Sequence, residues 1–189
     1  MFPHFTSQGI VPPYFGATPV DSAQMSPYRI SMTQFVAWFG YTPARLSIIN
    51  GLLDYRAQLL GLGITGFQWL SGSFVEKIED TQRRDPVDVD VVTIFTRPVG
   101  IDDAGWQTFL DGPNGYLIND SQAVKARFRC DAYSINLNEE PIDVVDQTRY
   151  WFGLFSHQRF TSFWKGMLAV ELDAQQDAAA RGMISTTHP

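Results

Sequence analysis

Apolar side chains in this chain recur with two different periods, and the change of period marks out its elements. Between Ser31 and Leu62 they return every three to four residues, first as Phe35, Val36, Trp38 and Phe39, then as Leu46, Ile49, Leu52, Leu53, Leu59 and Leu60. That spacing keeps side chains on one face of a helix. Ser31 with Gln34 three residues on predicts a capping box for the first helix, and Gly40 is placed to end it. Thr42-Pro43 predicts the start of the second, closed by Gly61 and Gly63. From Ile64 the pattern shortens. Strands are expected over 64–70, 87–95, 127–137 and 166–172, and helical segments over 74–79, 102–110, 121–125 and 143–156. Asp111 to Gly115 reads as a loop and Asn138 to Pro141 as a turn. Residues 1–28, with five prolines, read as an extended arm anchored by Phe5, Ile10 and Tyr14. Residues 173–189 are rich in alanine and glutamine with little to bury, and read as a tail that is partly helical or flexible. Helices first and mixed elements afterwards predict a single α+β domain over 29–172, a central mixed β-sheet flanked by helices.

Composition narrows the classes. A chain of 189 residues fits one domain, and 44% hydrophobic content excludes a disordered polymer. A net charge of −6 without runs of like charge argues against general affinity for DNA or for anionic membranes. With one cysteine, Cys130, no internal disulfide can form. No signal-like or membrane-spanning apolar run is present, so the expected location is cytoplasmic, without a membrane partner.

The chemistry sits in two short motifs. In Val87-Asp88-Val89-Asp90-Val91 the alternation places both carboxylates on one strand face and the three valines on the other, toward a core. Two carboxylates side by side repel, and a hard divalent cation between them, Mg²⁺ or Mn²⁺, relieves that repulsion. Leu70-Ser71-Gly72-Ser73-Phe74 precedes them, a small-residue bend whose exposed N–H groups can receive a phosphate. A helix over 74–79 would turn its N-terminus to the same anion.

Leu70, Gly72-Ser73 and Asp88-Val89-Asp90 together resemble the signature of the nucleotidyltransferase superfamily, with the polymerase-beta-like fold, and the gap between bend and doublet is slightly long for it. More narrowly, Gly9-Ile10-Val11-Pro12-Pro13, Gly72-Ser73-Phe74-Val75 and the block from Trp151 to Leu172 resemble a family of small prokaryotic nucleotidyltransferase-like proteins. The resemblance implies a third carboxylate on a neighbouring strand. Asp131 is the candidate, ligating a second metal and taking the proton of the attacking hydroxyl. Catalytic and metal-binding roles thus fall to Asp88, Asp90 and Asp131, and nucleotide binding to Gly72 and Ser73. The implied activity is Mg²⁺-dependent transfer of an NMP from an NTP to a hydroxyl of a protein or RNA, by fold analogy in a toxin–antitoxin or phage-defence system.

Other basic residues are weaker candidates. Lys77, Arg83 and Arg84 are placed to meet the leaving group or to be solvated loop residues, and Lys77 and Arg84 are carried forward as nucleotide contacts. Arg159 and Lys165 interrupt an apolar stretch and suit either phosphates or a structural ion pair, while the aromatics of 150–159 read as core. Asp131 has a bland alternative, an edge carboxylate paired with Arg127 or Arg129. Cys130 reads as buried filler, and His4, His157 and His188 form no zinc set. A second function class stays open: a regulatory module that binds nucleotide or a cognate protein partner without turnover. The position of Asp131 relative to Asp88 and Asp90 separates the two.

Overall fold

The Ser31 hydroxyl accepts from the Gln34 amide while the Gln34 side-chain oxygen accepts from Ser31 N–H, and this closed capping box starts α1 (Met32–Phe39). Thr42 caps α2 (Pro43–Gly61) in the same way, its hydroxyl accepting from Arg45 N–H. In the computed structural model, which describes residues 3–187, these two helices lie beneath a mixed sheet of five strands. The strands are β1 (Tyr28–Arg29), β2 (Thr65–Ser71), β3 (Val89–Thr96), β4 (Cys130–Asn136) and β5 (Leu168–Glu171), in the order β1-β5-β2-β3-β4. β2 runs antiparallel to both β3 and β5, whereas β3–β4 and β1–β5 are parallel. The remaining helices are α3 (Ile78–Gln82), α4 (Asp103–Asp111), α5 (Tyr116–Asn119), α6 (Ser121–Phe128), α7 (Pro141–Phe155) and α8 (Ala174–Thr187). The chain is one α+β domain, and no helix among the described residues is long and apolar enough to cross a membrane.

Alternation along the strands feeds two cores. Leu70, Val89, Val91, Phe95, Cys130, Ala132, Leu168 and Val170 face the larger one, closed by α1, α2, α4, α5, α6 and α8. Trp69, Val92, Ile94, Ile135 and Met167 face the smaller one, covered by Trp151, Phe152 and Phe155 of α7. The aromatics of that helix are less buried than their spacing suggests. Only Phe155 is fully buried, while Tyr150 and Leu154 are exposed.

Several boundaries differ from the sequence reading. No single helix spans 74–79: a 3₁₀ turn, Ser73–Val75, follows the bend, and α3 begins only at Ile78. The segment read as one helical turn after Ser121 is a full helix to Phe128, so Arg127 and Phe128 are helical. Arg129 then takes a left-handed conformation (φ 57°) that ends the helix and resets the chain into β4. The segment before β1 lies over the domain. Ile10 and Val11 are buried, and Phe5 packs edge-on against Phe39.

The largest departure is the tail. α8 docks against α1 and α2 with Ala180 fully buried. Its Asp177 meets Arg56, whose side chain is wholly removed from solvent; Arg56 Nη2 lies 2.8 Å from Asp177 Oδ1. Arg56 also donates to Gln68 Oε1 (3.0 Å) and to the Glu171 carbonyl (2.5 Å), and Gln68 in turn donates to Thr93. A buried guanidinium is tolerated only with its donors satisfied, so α8 supplies the counter-charge that α2 requires. Asp177→Ala leaves Arg56 buried and unpaired, and a loss of roughly 3–5 kcal/mol is expected. Urea unfolding of variant and wild type measures it; a loss below about 1 kcal/mol would mean that the tail is dispensable.

Candidate functional site

Asp88 stands just before β3 and Asp90 within it, while Val89 and Val91 turn to the larger core. Val87, expected in that core, is 61% exposed, because the ladder starts only at Val89 and nothing covers the residue two positions earlier. Across the sheet Asp90 pairs in register with Ser71 of β2 and with Asp131 of β4, so Asp131 shares the face of Asp90 on the adjacent parallel strand. Asp131 does not pair with Arg127 or Arg129. Arg127 donates to the Tyr116 hydroxyl and Arg129 to Ser47. Asp131 instead accepts from Ser121 Oγ at 3.0 Å, and its other oxygen lies 3.4 Å from Lys125 Nζ. The same ammonium is 2.5 Å from Asp88 Oδ2. Lys125 thus bridges two of the three carboxylates.

The bend touches the third. Gly72 has φ +76°, a region that side chains rarely adopt. A Cβ built there would lie 2.6 Å from the Asp90 carboxyl carbon and 2.7–2.8 Å from its oxygens. Only glycine lets the backbone and this carboxylate occupy neighbouring space. Ser73, half-buried, opens the 3₁₀ turn, while Phe74 and Val75 behind it are buried. A scaffold of buried cations holds this turn from below. Arg45 donates to the Phe74 and Glu76 carbonyls, both at 2.6 Å, and pairs with Glu79. Lys165 Nζ reaches the Gly72 carbonyl at 3.1 Å and Glu76 Oε1 at 2.7 Å, and Gln158 donates to the other Glu76 oxygen.

The charges explain the titration. Burial first, and then the nearby Asp88 and Asp131 carboxylates, push Asp90 up from its ordinary value of 3.8 to about 6, against the opposing pull of Lys165 and Arg159. Lys125 is raised above the usual lysine value, chiefly by its hydrogen bond to Asp88. Tyr133 is raised by burial and then by the Asp131 charge. Cys130 is buried, with its thiol pushed up by desolvation.

Of the residues singled out in the sequence, Gly72, Asp88, Asp90 and Asp131 are brought together, with Ser73 adjoining them. Lys77 and Arg84 lie elsewhere. Lys77 pairs with Asp80 and sits over the Phe5 ring under the arm, and Arg84 bonds within its own loop to Gln82 and the Asp85 carbonyl. The cations that act on Asp90 are Lys165 and Arg159. Lys125, Ser121 and Glu76 are site residues that no motif marks; Lys125 carries only a weak signal, as one of several basic residues shortly before Asp131.

Among the described residues no group of three or more His, Cys, Asp or Glu side chains is arranged to hold a metal ion as it stands. The donor chemistry nevertheless suits a hard divalent cation: three carboxylates at one end of a sheet, one of them resisting ionisation because of burial first and of the other two second, and an ammonium bridging two of them. A cleft of about 540 Å³ lies off the β1 edge, lined among others by Arg29, Trp69 and Glu171; none of the three aspartates lines it.

The raised Asp90 value fixes a pH dependence. The folded protein holds this proton more tightly than the unfolded chain, so the stabilisation is complete below about pH 4 and is lost as pH rises through 6. Asp90→Asn removes that dependence, and the variant is expected to be more stable than wild type at pH 7.5 by up to about 3 kcal/mol. Urea unfolding at pH 4, 6 and 7.5 checks this; parallel curves for the two proteins would show that Asp90 ionises freely.

Compared with known proteins, the chain matches no curated protein and no solved structure. A family model does match, over residues 3–171, which takes in the arm and every strand through the end of β5 and stops short of α8. The chain therefore belongs to that family, described as a family of unknown function (DUF6932).

Proposed function

We propose that this protein is a divalent-metal-dependent nucleotidyltransferase, moving an NMP from an NTP to a hydroxyl on a protein or RNA. The observation that carries the reading is the contact between the Gly72 bend and the Asp90 carboxylate, with Asp131 in register beside it on β4. A phosphate-accepting bend and an acidic cluster are of use to each other only when they meet, and here they do. Asp88, Asp90 and Asp131 are the residues that would hold Mg²⁺ or Mn²⁺, which when bound neutralises phosphate charge and acidifies the acceptor hydroxyl. In this reading Asp131 would take the proton of the acceptor hydroxyl as the hydroxyl oxygen bonds to the α-phosphorus, while the bond to pyrophosphate breaks and pyrophosphate departs. Gly72 and Ser73 supply backbone N–H groups for the phosphates. Arg159, whose charge reaches Asp90, and not Lys77 or Arg84, supplies positive charge on the substrate side. The acceptor class rests on analogy with the fold.

One observation favours the second reading, a nucleotide- or partner-binding regulatory module without turnover. Lys125 already neutralises Asp88 and Asp131, which is what a site that had dispensed with metal would keep.

Transfer of label from α-³²P-NTPs to lysate protein or RNA, with Mg²⁺ or Mn²⁺, separates the two. Wild type is expected to label an acceptor, and Asp88→Asn or Asp131→Asn to lower the rate by about 10²-fold or more. Absence of label with all four NTPs, or equal labelling by the variants, would rule out the transferase.

A further inference from the structure

We propose that Lys165, neutralised by Glu76, is the positioning residue that fixes the orientation of the Gly72–Ser73 peptide for a triphosphate; this rests on the function proposed above. A trans peptide is planar, with the carbonyl of one residue and the N–H of the next pointing in opposite directions. Lys165 is 4% exposed and its ammonium lies 3.1 Å from the Gly72 carbonyl oxygen, on the interior side of the bend. Drawing that carbonyl inward turns the Ser73 N–H outward. That plane is set by ψ of Gly72 and φ of Ser73, and glycine leaves ψ freer than any other residue, so the lysine anchor restricts the half of the rotation that Gly72 leaves loose. The lysine therefore removes an ambiguity that the close approach of Asp90 makes unavoidable, since no other residue fits at position 72.

The surroundings are built to hold this charge. Glu76, also buried, accepts from Lys165 at 2.7 Å and from Gln158 at 2.8 Å through its second oxygen. Its backbone carbonyl is held in turn by Arg45 at 2.6 Å. A buried ion pair contributes little net stability compared with apolar side chains of the same volume, so a stability role alone does not account for it. What it provides is direction at the Gly72 carbonyl.

The double variant Glu76→Gln, Lys165→Met removes both charges and leaves neither buried unpaired, so the fold is expected to persist. Two measurements decide the matter. In nucleotide-free protein, NMR relaxation dispersion at the Ser73 amide is expected to be flat in wild type and Lys165→Arg, and to show exchange in the double variant as the peptide plane flips. In binding, the affinity for the Mg²⁺ complexes of the α,β-methylene analogues of ATP, GTP, CTP and UTP is expected to fall roughly tenfold in the double variant, the loss of about one charge-assisted hydrogen bond. Mn²⁺ affinity without nucleotide should stay within about twofold, and Lys165→Arg should restore nucleotide binding. An unchanged Ser73 amide overturns the proposal, as does unchanged nucleotide affinity or a loss of Mn²⁺ affinity equal to the loss for nucleotide. Wild type that binds none of the four analogues defeats the transferase reading, and with it the triphosphate role, whereas the Ser73 dispersion decides the peptide anchor separately.

Discussion

Three carboxylates at one end of a sheet repel one another, and the surrounding structure is organised around containing that repulsion. Asp88, Asp90 and Asp131 are brought together by strand register, since Asp90 and Asp131 are direct neighbours on parallel strands and Asp88 lies two residues before Asp90 on the same face. Lys125 meets the cluster from α6, bridging Asp88 and Asp131. Lys165 and Arg159 act on Asp90 from the segment after α7. Asp90 keeps a penalty of burial and of the two neighbouring charges in its raised pKa of about 6.

The same logic of buried cations supports the scaffold. Arg45 ties α2 to the turn after the bend, Arg56 ties α2 to the sheet and to α8, and Lys165 ties the approach to β5 to the bend itself. Each is almost wholly buried and each is satisfied by carboxylate and carbonyl oxygens together. Directional hydrogen bonds from these three buried charges join α2, α8, the approach to β5 and the bend in the arrangement that holds Gly72 against Asp90. The arm participates as well, since Gly166 N–H donates to the Val11 carbonyl and Lys77 N–H to the Gly9 carbonyl, pinning both sides of the bend region.

Local signals were readable in the sequence where they act over a few residues. The Ser31–Gln34 capping box, the Thr42-Pro43 start and the alternation that turns Val89 and Val91 away from Asp90 are all physics of short range. The resemblance-based placing of Asp131 on a strand beside Asp90 matches the register found. What could not be read depends on distant partners. Arg56 finds Asp177 across 121 residues, Lys165 finds Glu76 across 89, and Arg45 finds Glu79 across 34. The alanine-rich tail carries no local signal of docking, because its contacts rest on one aspartate, Asp177, and one small residue, Ala180, that fit a surface made elsewhere. Arg129, two residues before Asp131, is turned away from it by its left-handed conformation and donates to Ser47 instead, a placement that strand alternation does not reveal. Lys77 and Arg84 were near the bend in sequence but are held by their own loop and by the arm.

If Asp88, Asp90 and Asp131 hold a divalent cation, Lys125 competes with it for Asp88 and Asp131. Titration of Mn²⁺ into the protein, followed by loss of the free-ion EPR signal, tests it most directly. Wild type is expected to bind Mn²⁺, Lys125→Met to bind it several-fold more tightly because the competing ammonium is gone, and Asp88→Asn, Asp131→Asn to bind none. If neither wild type nor Lys125→Met takes up Mn²⁺ at millimolar concentration, or if the loss of both aspartates changes nothing, the cluster is an internal ion-pair network and not a metal site.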